Sequence, residues 1–309
     1  MLFTKGAYEE SAILVKSLSR AHPPDGEMRS LMLLLLAFVM AVDAAPILER
    51  SLLAARACSL AFVPPAAMKN EPYTAAANVE CIAQVEDPES LAGATVFRRT
   101  DCKDGLIVAC RGSASLKNFG TNLDIGPVPL IANPEAKVHA GFQKAGLALW
   151  KLIEAELPPS EEPILVCGHS LGGGTATMIT LHLHEAGRAA ELITVAGPKL
   201  GDRRFAEHFR ERCGPERALH LFHDADDVLK SNVKLWSDLG FENVGTAIRC
   251  SSEEPCVYDD EDAEACLAPG PGAPTTPSLR GVFIDHCKYL GCYIGVRLEH
   301  PSVYLRAPW

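Results

Sequence analysis

The stretch Ile164-Leu165-Val166-Cys167-Gly168-His169-Ser170-Leu171-Gly172-Gly173-Gly174 decides the fold. Its apolar start predicts a buried strand, the glycine-flanked serine predicts a sharp turn, and the segment from about Thr175 to His184 predicts the helix that follows. A strand that turns straight into a helix brings two backbones close together, so Gly168 and Gly172 stand where side chains would collide. The helix would aim its first N–H groups and the positive end of its dipole at any oxyanion forming beside Ser170. A serine presented in this way is a candidate nucleophile.

On either side, strand signals alternate with helix signals. Ala94 to Arg98 and Leu106 to Cys110 are short apolar runs around Asp101-Cys102-Lys103-Asp104-Gly105 and predict a hairpin-like pair. His139 to Leu157 has helical spacing, with Phe142, Ala145, Leu149 and Leu152 on one face. Leu192 to Ala196 predicts a strand, Phe205 to Cys213 a helix, and Ala218 to His223 a strand. Upstream, Ile47 to Phe62 is helically spaced and closed by Pro64-Pro65. This alternation predicts an α/β fold with a mainly parallel central sheet and helices on both faces. In such a sheet, functional groups gather at the carboxyl ends of the strands.

With 309 residues and no repeat or long central linker, the chain reads as one large α/β domain from residue 47 to 309. Residues 250 to 280, acidic and then rich in proline and glycine, predict an exposed loop. The net charge of −10 argues against a nucleic-acid partner. Much of that charge is local, in Glu253, Glu254, Asp259, Asp260, Glu261, Asp262 and Glu264.

Near the start, Met28-Arg29-Ser30 precedes twelve apolar residues from Leu31 to Val42, and Asp43-Ala44-Ala45-Pro46 follows. A basic start, a short apolar centre and small residues at a cleavage point after Ala44 predict a secretory signal over residues 28–44. The apolar run is shorter than the ~20 residues that a bilayer span takes. Residues 1–27 then form an upstream extension, and translation is expected to begin at Met28. Eleven cysteines suit an oxidising compartment. Pairing is expected among Cys250, Cys256, Cys266, Cys287 and Cys292, while Cys167, in the strand that feeds the turn, is the expected free and buried thiol. There is no zinc-ligand spacing and no N-glycosylation sequon.

A serine nucleophile needs a base, and the base needs a carboxylate to hold its tautomer. Asp224, Asp226 and Asp227 follow the strand that ends at His223, and each is a candidate acid. His286 follows a short apolar run from Gly281 to Ile284; His300 competes as base, and His223 reads instead as a packed strand-end residue, the commoner role of a lone histidine.

Six blocks resemble the class 3 lipases, the fungal-type triacylglycerol lipase family, over roughly residues 50 to 295. In family order they are Val108-Ala109-Cys110-Arg111-Gly112-Ser113 with Asn118-Phe119, Val138-His139-Ala140-Gly141-Phe142, Gly168-His169-Ser170-Leu171-Gly172-Gly173, Thr194-Val195-Ala196-Gly197-Pro198-Lys199-Leu200-Gly201-Asp202, His223-Asp224-Ala225-Asp226-Asp227-Val228, and Asp285-His286-Cys287-Lys288-Tyr289. The resemblance implies an α/β-hydrolase fold with Ser170 as nucleophile, Asp226 as orienting acid and His286 as general base. It also implies an oxyanion hole from the backbone N–H groups of Ser113 and Leu171, with Arg111 bracing the loop. Leu229 departs from the family pattern, which commonly has proline there.

The segment Leu116 to Asp124 spaces Leu116, Phe119 and Leu123 along one apolar face, and the resemblance assigns this position to a lid over the site. The implied activity is that of a secreted serine carboxylester hydrolase on acylglycerols. Phospholipase A1 and feruloyl-type esterases share the chemistry, and some relatives keep the fold as a non-catalytic scaffold. No metal or cofactor is required. The expected partners are an ester substrate and, transiently, a lipid–water interface, with no stable membrane span.

Overall fold

A computed structural model describes residues 46–69, 74, 77–101, 105–112, 126–159, 162–252, 257–258, 285–294, 296–297 and 300–304. The chain falls into two compact units, Met1–Arg50 and Ser51–Trp309. Residues 46–50, the described part of the first, are helical. The predicted signal and upstream extension lie outside the described residues.

The second unit is built on an eight-stranded sheet. In chain order the strands and helices that matter are β1 (Val79–Glu86), β2 (Gly93–Arg99), β3 (Leu106–Arg111), β4 (Pro127–Leu130), β5 (Asn133–His139), α1 (Ala140–Glu156), β6 (Ile164–His169), α2 (Leu171–Glu185), β7 (Ala190–Val195), β8 (Gly201–Asp202), α3 (Arg203–Cys213), β9 (Ala218–Phe222), α4 (Asp227–Asp238), β10 (Phe241–Glu242), β11 (Thr246–Cys250) and β12 (Val257–Tyr258). The large sheet runs β1-β2-β3-β6-β7-β9-β11-β12, and a smaller one runs β10-β8-β5-β4. Strands β3, β6, β7, β9 and β11 are mutually parallel. β1, β2 and β12 add antiparallel edges.

The central strands are continuous apolar runs because both faces are covered. Side chains alternate across β6, so Val166 and Cys167 point to opposite faces. Val166 belongs to the core that Phe142, Leu149 and Ile153 of α1, Met178 and Ile179 of α2, and Phe205 and Phe209 of α3 complete. Cys167 instead meets the Cys58 thiol of the helix over residues 51–60. Helices therefore cover both faces, as the alternation predicts.

The register aligns the strand ends. Cys110 lies opposite Gly168, and His169 opposite Val195. The residues that follow β3, β6, β7 and β9 therefore emerge along one edge of the sheet.

Several expectations need correction. Helix α2 begins at Leu171, not Thr175, because three consecutive glycines pack there against neighbouring groups instead of forming a loop. On α1 the buried face runs through Phe142, Ala145, Gly146, Leu149 and Ile153, and Leu152 is exposed. A step of four from Leu149 keeps the stripe on the sheet, and a step of three leaves it. Within the expected loop at 250–280, Val257 and Tyr258 pair with β11. Cys58, Cys81, Cys110, Cys167, Cys213, Cys287 and Cys292 are thiols, and Cys250 donates to the Phe222 carbonyl oxygen. The expected stapling of the C-terminal third thus does not include a bridge between Cys287 and Cys292. Cys102, Cys256 and Cys266 lie outside the described residues.

Candidate active site

Ser170 stands between β6 and α2 with φ 56° and ψ −127°. An L-residue at positive φ is strained by about 1–3 kcal/mol, so its surroundings must enforce the turn. They do so by hydrogen bonds from Ser170 N–H to the Val195 carbonyl and from Gly173 N–H to the Ser170 carbonyl, each 2.9 Å. A Cβ on Gly168 would lie 2.1 Å from the Gly172 oxygen, and one on Gly172 would lie 2.3 Å from the Cys110 oxygen. Both glycines are therefore demanded by close approach of strand and helix. The same approach puts Leu171 at the first position of α2, where the opening N–H groups of a helix lack intrahelical acceptors.

Asp226 caps α4, accepting from the Leu229 N–H at 2.9 Å. That bond uses the Leu229 amide, which a proline would not have. The carboxylate is fully buried and faces His286, whose Nδ1 lies 3.0 Å from Oδ1 and 2.9 Å from Oδ2. The Tyr289 hydroxyl donates to Oδ2 at 2.7 Å. Burial alone would raise the Asp226 carboxyl, but the charge and hydrogen bond of His286, with the hydrogen bonds from the Leu229 N–H and the Tyr289 hydroxyl, outweigh it and hold the group at about 2. Burial, then the Asp226 charge, pushes the Tyr289 phenol well up, so it stays a donor. Of the other candidate acids, Asp224 pairs with Arg249 and Asp227 with Lys230. Neither is placed on His286.

His286 is itself buried, and its Nε2 has no hydrogen-bond partner among the described residues. An imidazole whose Nδ1–H is held by a carboxylate leaves Nε2 as a lone-pair acceptor, the atom that takes a proton from a nucleophile. Two histidines to which sequence reasoning gave no site role complete the surroundings. His169 donates its Nε2–H to the His286 carbonyl oxygen at 2.7 Å, and its ring lies 4.9 Å from that of His286. His223 donates to the Asp285 carbonyl oxygen at 2.9 Å and packs 4.3 Å from the Tyr289 ring. Both histidines, and Tyr289, lie inside the motifs quoted above, so the signal was present without its partner. The packed reading of His223 matches its burial.

Arg111 is ion-paired with Glu86, across the β1–β2 edge. Ser113 and the predicted lid residues Leu116, Phe119 and Leu123 lie outside the described residues. The competing base His300 begins the strand His300–Tyr304. Among the described residues there is no cluster of three or more His, Cys, Asp or Glu side chains fit to hold a metal, and no helix long and apolar enough to cross a membrane.

Residues 107–234 match the lipase (class 3) family. The chain is 29% identical over 128 residues to the secreted mono- and diacylglycerol lipase 1 of Fusarium solani, covering 40% of this chain and 38% of that protein. It is 32% identical over 120 residues to a lipase of Rhizomucor miehei, covering 36% of this chain and 33% of that one. The matched part thus spans about a third of the length of either relative. In fold, the native Rhizomucor miehei lipase propeptide complex superposes with a TM-score of 0.65 at 20% identity, covering 82% of each chain.

Proposed function

We propose that the chain, whose residues 107–234 match the lipase (class 3) family, is a secreted serine carboxylester hydrolase of acylglycerols, working through an acyl-enzyme. The observation that carries this reading is the buried contact of His286 with Asp226, which leaves Nε2 without a partner among the described residues, in a chain whose Ser170 stands strained at a strand-to-helix turn. In the proposed reaction, Ser170 Oγ attacks the ester carbonyl carbon as His286 Nε2 takes the hydroxyl proton. Asp226 holds the imidazole and stabilises its charged form. The oxyanion of the tetrahedral intermediate is met by the Leu171 N–H and, by family resemblance, the Ser113 N–H. Removing one such donor typically costs about 2.7–4 kcal/mol of barrier.

Collapse of the intermediate breaks the ester C–O bond, and His286 returns the proton to the leaving alcohol. Water then attacks the acyl-Ser170 carbonyl by the same route in reverse, releasing the fatty acid and the free serine. Leu116, Phe119 and Leu123 would form the apolar underside of a lid that turns toward lipid at a lipid–water interface. The signal-like sequence over residues 28–44 supports export, as does the secreted description of the Fusarium relative. That relative's description also favours partial glycerides within the acylglycerol class.

Hydrolysis of a short chromogenic ester, followed by a panel of tri-, di- and monoacylglycerols, phospholipids and feruloyl esters, tests the reading. Wild type turns over the chromogenic ester and prefers acylglycerols, and Ser170→Ala abolishes turnover while leaving the unfolding temperature near that of wild type. Full activity in Ser170→Ala would overturn the mechanism, and a preference for phospholipid or feruloyl ester would overturn the substrate class.

A further inference from the structure

Among the described residues, the loop that carries His286 shows only the helical residues Asp285 and His286 before a two-residue hairpin strand, Lys288–Tyr289. Something else must fix the imidazole. Two imidazoles do so from neighbouring strand ends. His169 closes β6 one residue before Ser170, and His223 follows β9 three residues before Asp226. Their Nε2–H groups donate to consecutive carbonyl oxygens, that of His286 at 2.7 Å and that of Asp285 at 2.9 Å.

We propose that His169 and His223 are positioning residues, a two-histidine clamp that registers the base loop against the nucleophile and the acid at once. The proposal rests on reading Ser170, His286 and Asp226 as the reacting set. Three further observations support it. His223 Nδ1 accepts from the Ala225 N–H at 3.2 Å, which fixes the proton on Nε2 and so makes the ring a donor to Asp285. Both histidines are buried, and burial depresses both, His169 to about 3 with the neighbouring His286 charge adding to the effect. Neutral rings can hold the loop without placing a second positive charge beside the imidazolium that His286 must become. Both rings also pack against the loop's own aromatics, His169 on His286 and His223 on Tyr289. Because one clamp residue belongs to the Ser170 turn and the other to the Asp226 turn, a shift of either strand end carries the base with it.

Losing a clamp bond frees a buried carbonyl and lets the loop move, and a displacement of about 1 Å costs on the order of 100-fold in rate. The test uses the full chain as wild type, His169→Leu, His223→Leu, His169→Gln and His223→Gln. It measures kcat and KM on a soluble short-chain ester, thermal unfolding, and the low-field proton NMR resonance of His286 Nδ1–H. Each leucine variant is expected to lose about 10- to 100-fold in kcat with KM little changed, and to shift or broaden that resonance. Glutamine, whose amide nitrogen reaches to a similar point, is expected to restore kcat to within several-fold of wild type and to return the resonance. Folded leucine variants with wild-type kcat and an unmoved resonance would overturn the clamp. So would glutamine variants no better than leucine. Should leucine prevent folding, the glutamine variants decide alone: near wild-type kcat and resonance support the clamp, and losses beyond tenfold overturn it. A wild type that hydrolyses no ester would remove the functional reading, while the resonance arm still tests the clamp.

Discussion

At the scale of single residues, the site is a small set of buried polar groups whose protonation is set by their neighbours. His169 is held near 3 by burial and by His286, and His220 near 4 by burial and Lys199, both well below the ordinary 6.5. Between those values and 6.5 the unfolded chain binds protons that the folded chain refuses, so acid favours unfolding. Stability is fully present above pH 6.5 and falls as pH drops toward 4 and then 3. Each such histidine contributes a slope of up to about 1.4 kcal/mol per pH unit. The Asp226 contribution follows a different window: its carboxyl is depressed, so its stabilisation is present above the ordinary 3.8 and is lost as pH falls toward 2. Urea midpoints measured from pH 7.5 to 3.5 should therefore decline from about pH 6.5 downward, and His169→Gln should flatten the decline. A midpoint constant across that range would contradict the burial of these neutral rings.

The tight turn at Ser170 and its glycines were legible residue by residue, because close approach leaves a direct mark in sequence. Asp226 was less so, with Asp224 and Asp227 beside it until geometry assigned those two to Arg249 and Lys230. The roles of His169 and Tyr289 were not legible at all. Their partners lie 117 and 63 positions away, and no local pattern reports such a contact.

At the scale of elements, the central strands were readable because parallel strands buried on both faces are plain apolar runs. Strand β1 was missed, since Val79-Glu80-Cys81-Ile82-Ala83-Gln84-Val85-Glu86 is an edge strand of mixed polarity with a register shift between Cys81 and Ala83. β4 and β5 were missed for a related reason: Pro127, Pro129 and Pro134 break the strand signal, yet Pro127 and Pro129 sit on the edge strand β4 and Pro134 falls outside the paired positions of β5. Helix α4 was hidden behind the carboxylates that start it, and Asp226 turns out to be its cap. The face of α1 supplies a direct test of the packing. Ile153 is fully buried in the main core and Leu152 is not, so Ile153→Ala should cost about 2–5 kcal/mol and Leu152→Ala less than about 1 kcal/mol. Equal losses in denaturant titrations would mean that the helix face is assigned one residue out of phase.

At the scale of the whole molecule, alternating strands and helices dictated a mainly parallel sheet with both faces covered, and the strand order shows how that serves the site. The parallel strands end along one edge, where the turn after β6 presents Ser170 and the turn after β9 presents Asp226. The His286 loop is then drawn in by hydrogen bonds to groups at both strand ends. Order along the chain fixed the fold class, but the strand order across the sheet, and the meeting of Asp226 with His286 60 positions away, come only from long-range pairing. The central claim is that this edge activates Ser170 as a nucleophile. Treatment of the folded chain with an alkyl fluorophosphonate, followed by peptide mass spectrometry, tests it most directly. One phosphonyl group per chain on the peptide that contains Ser170, absent in Ser170→Ala, is the predicted result; an unmodified Ser170 in protein that hydrolyses ester, or the adduct on another serine, would contradict it.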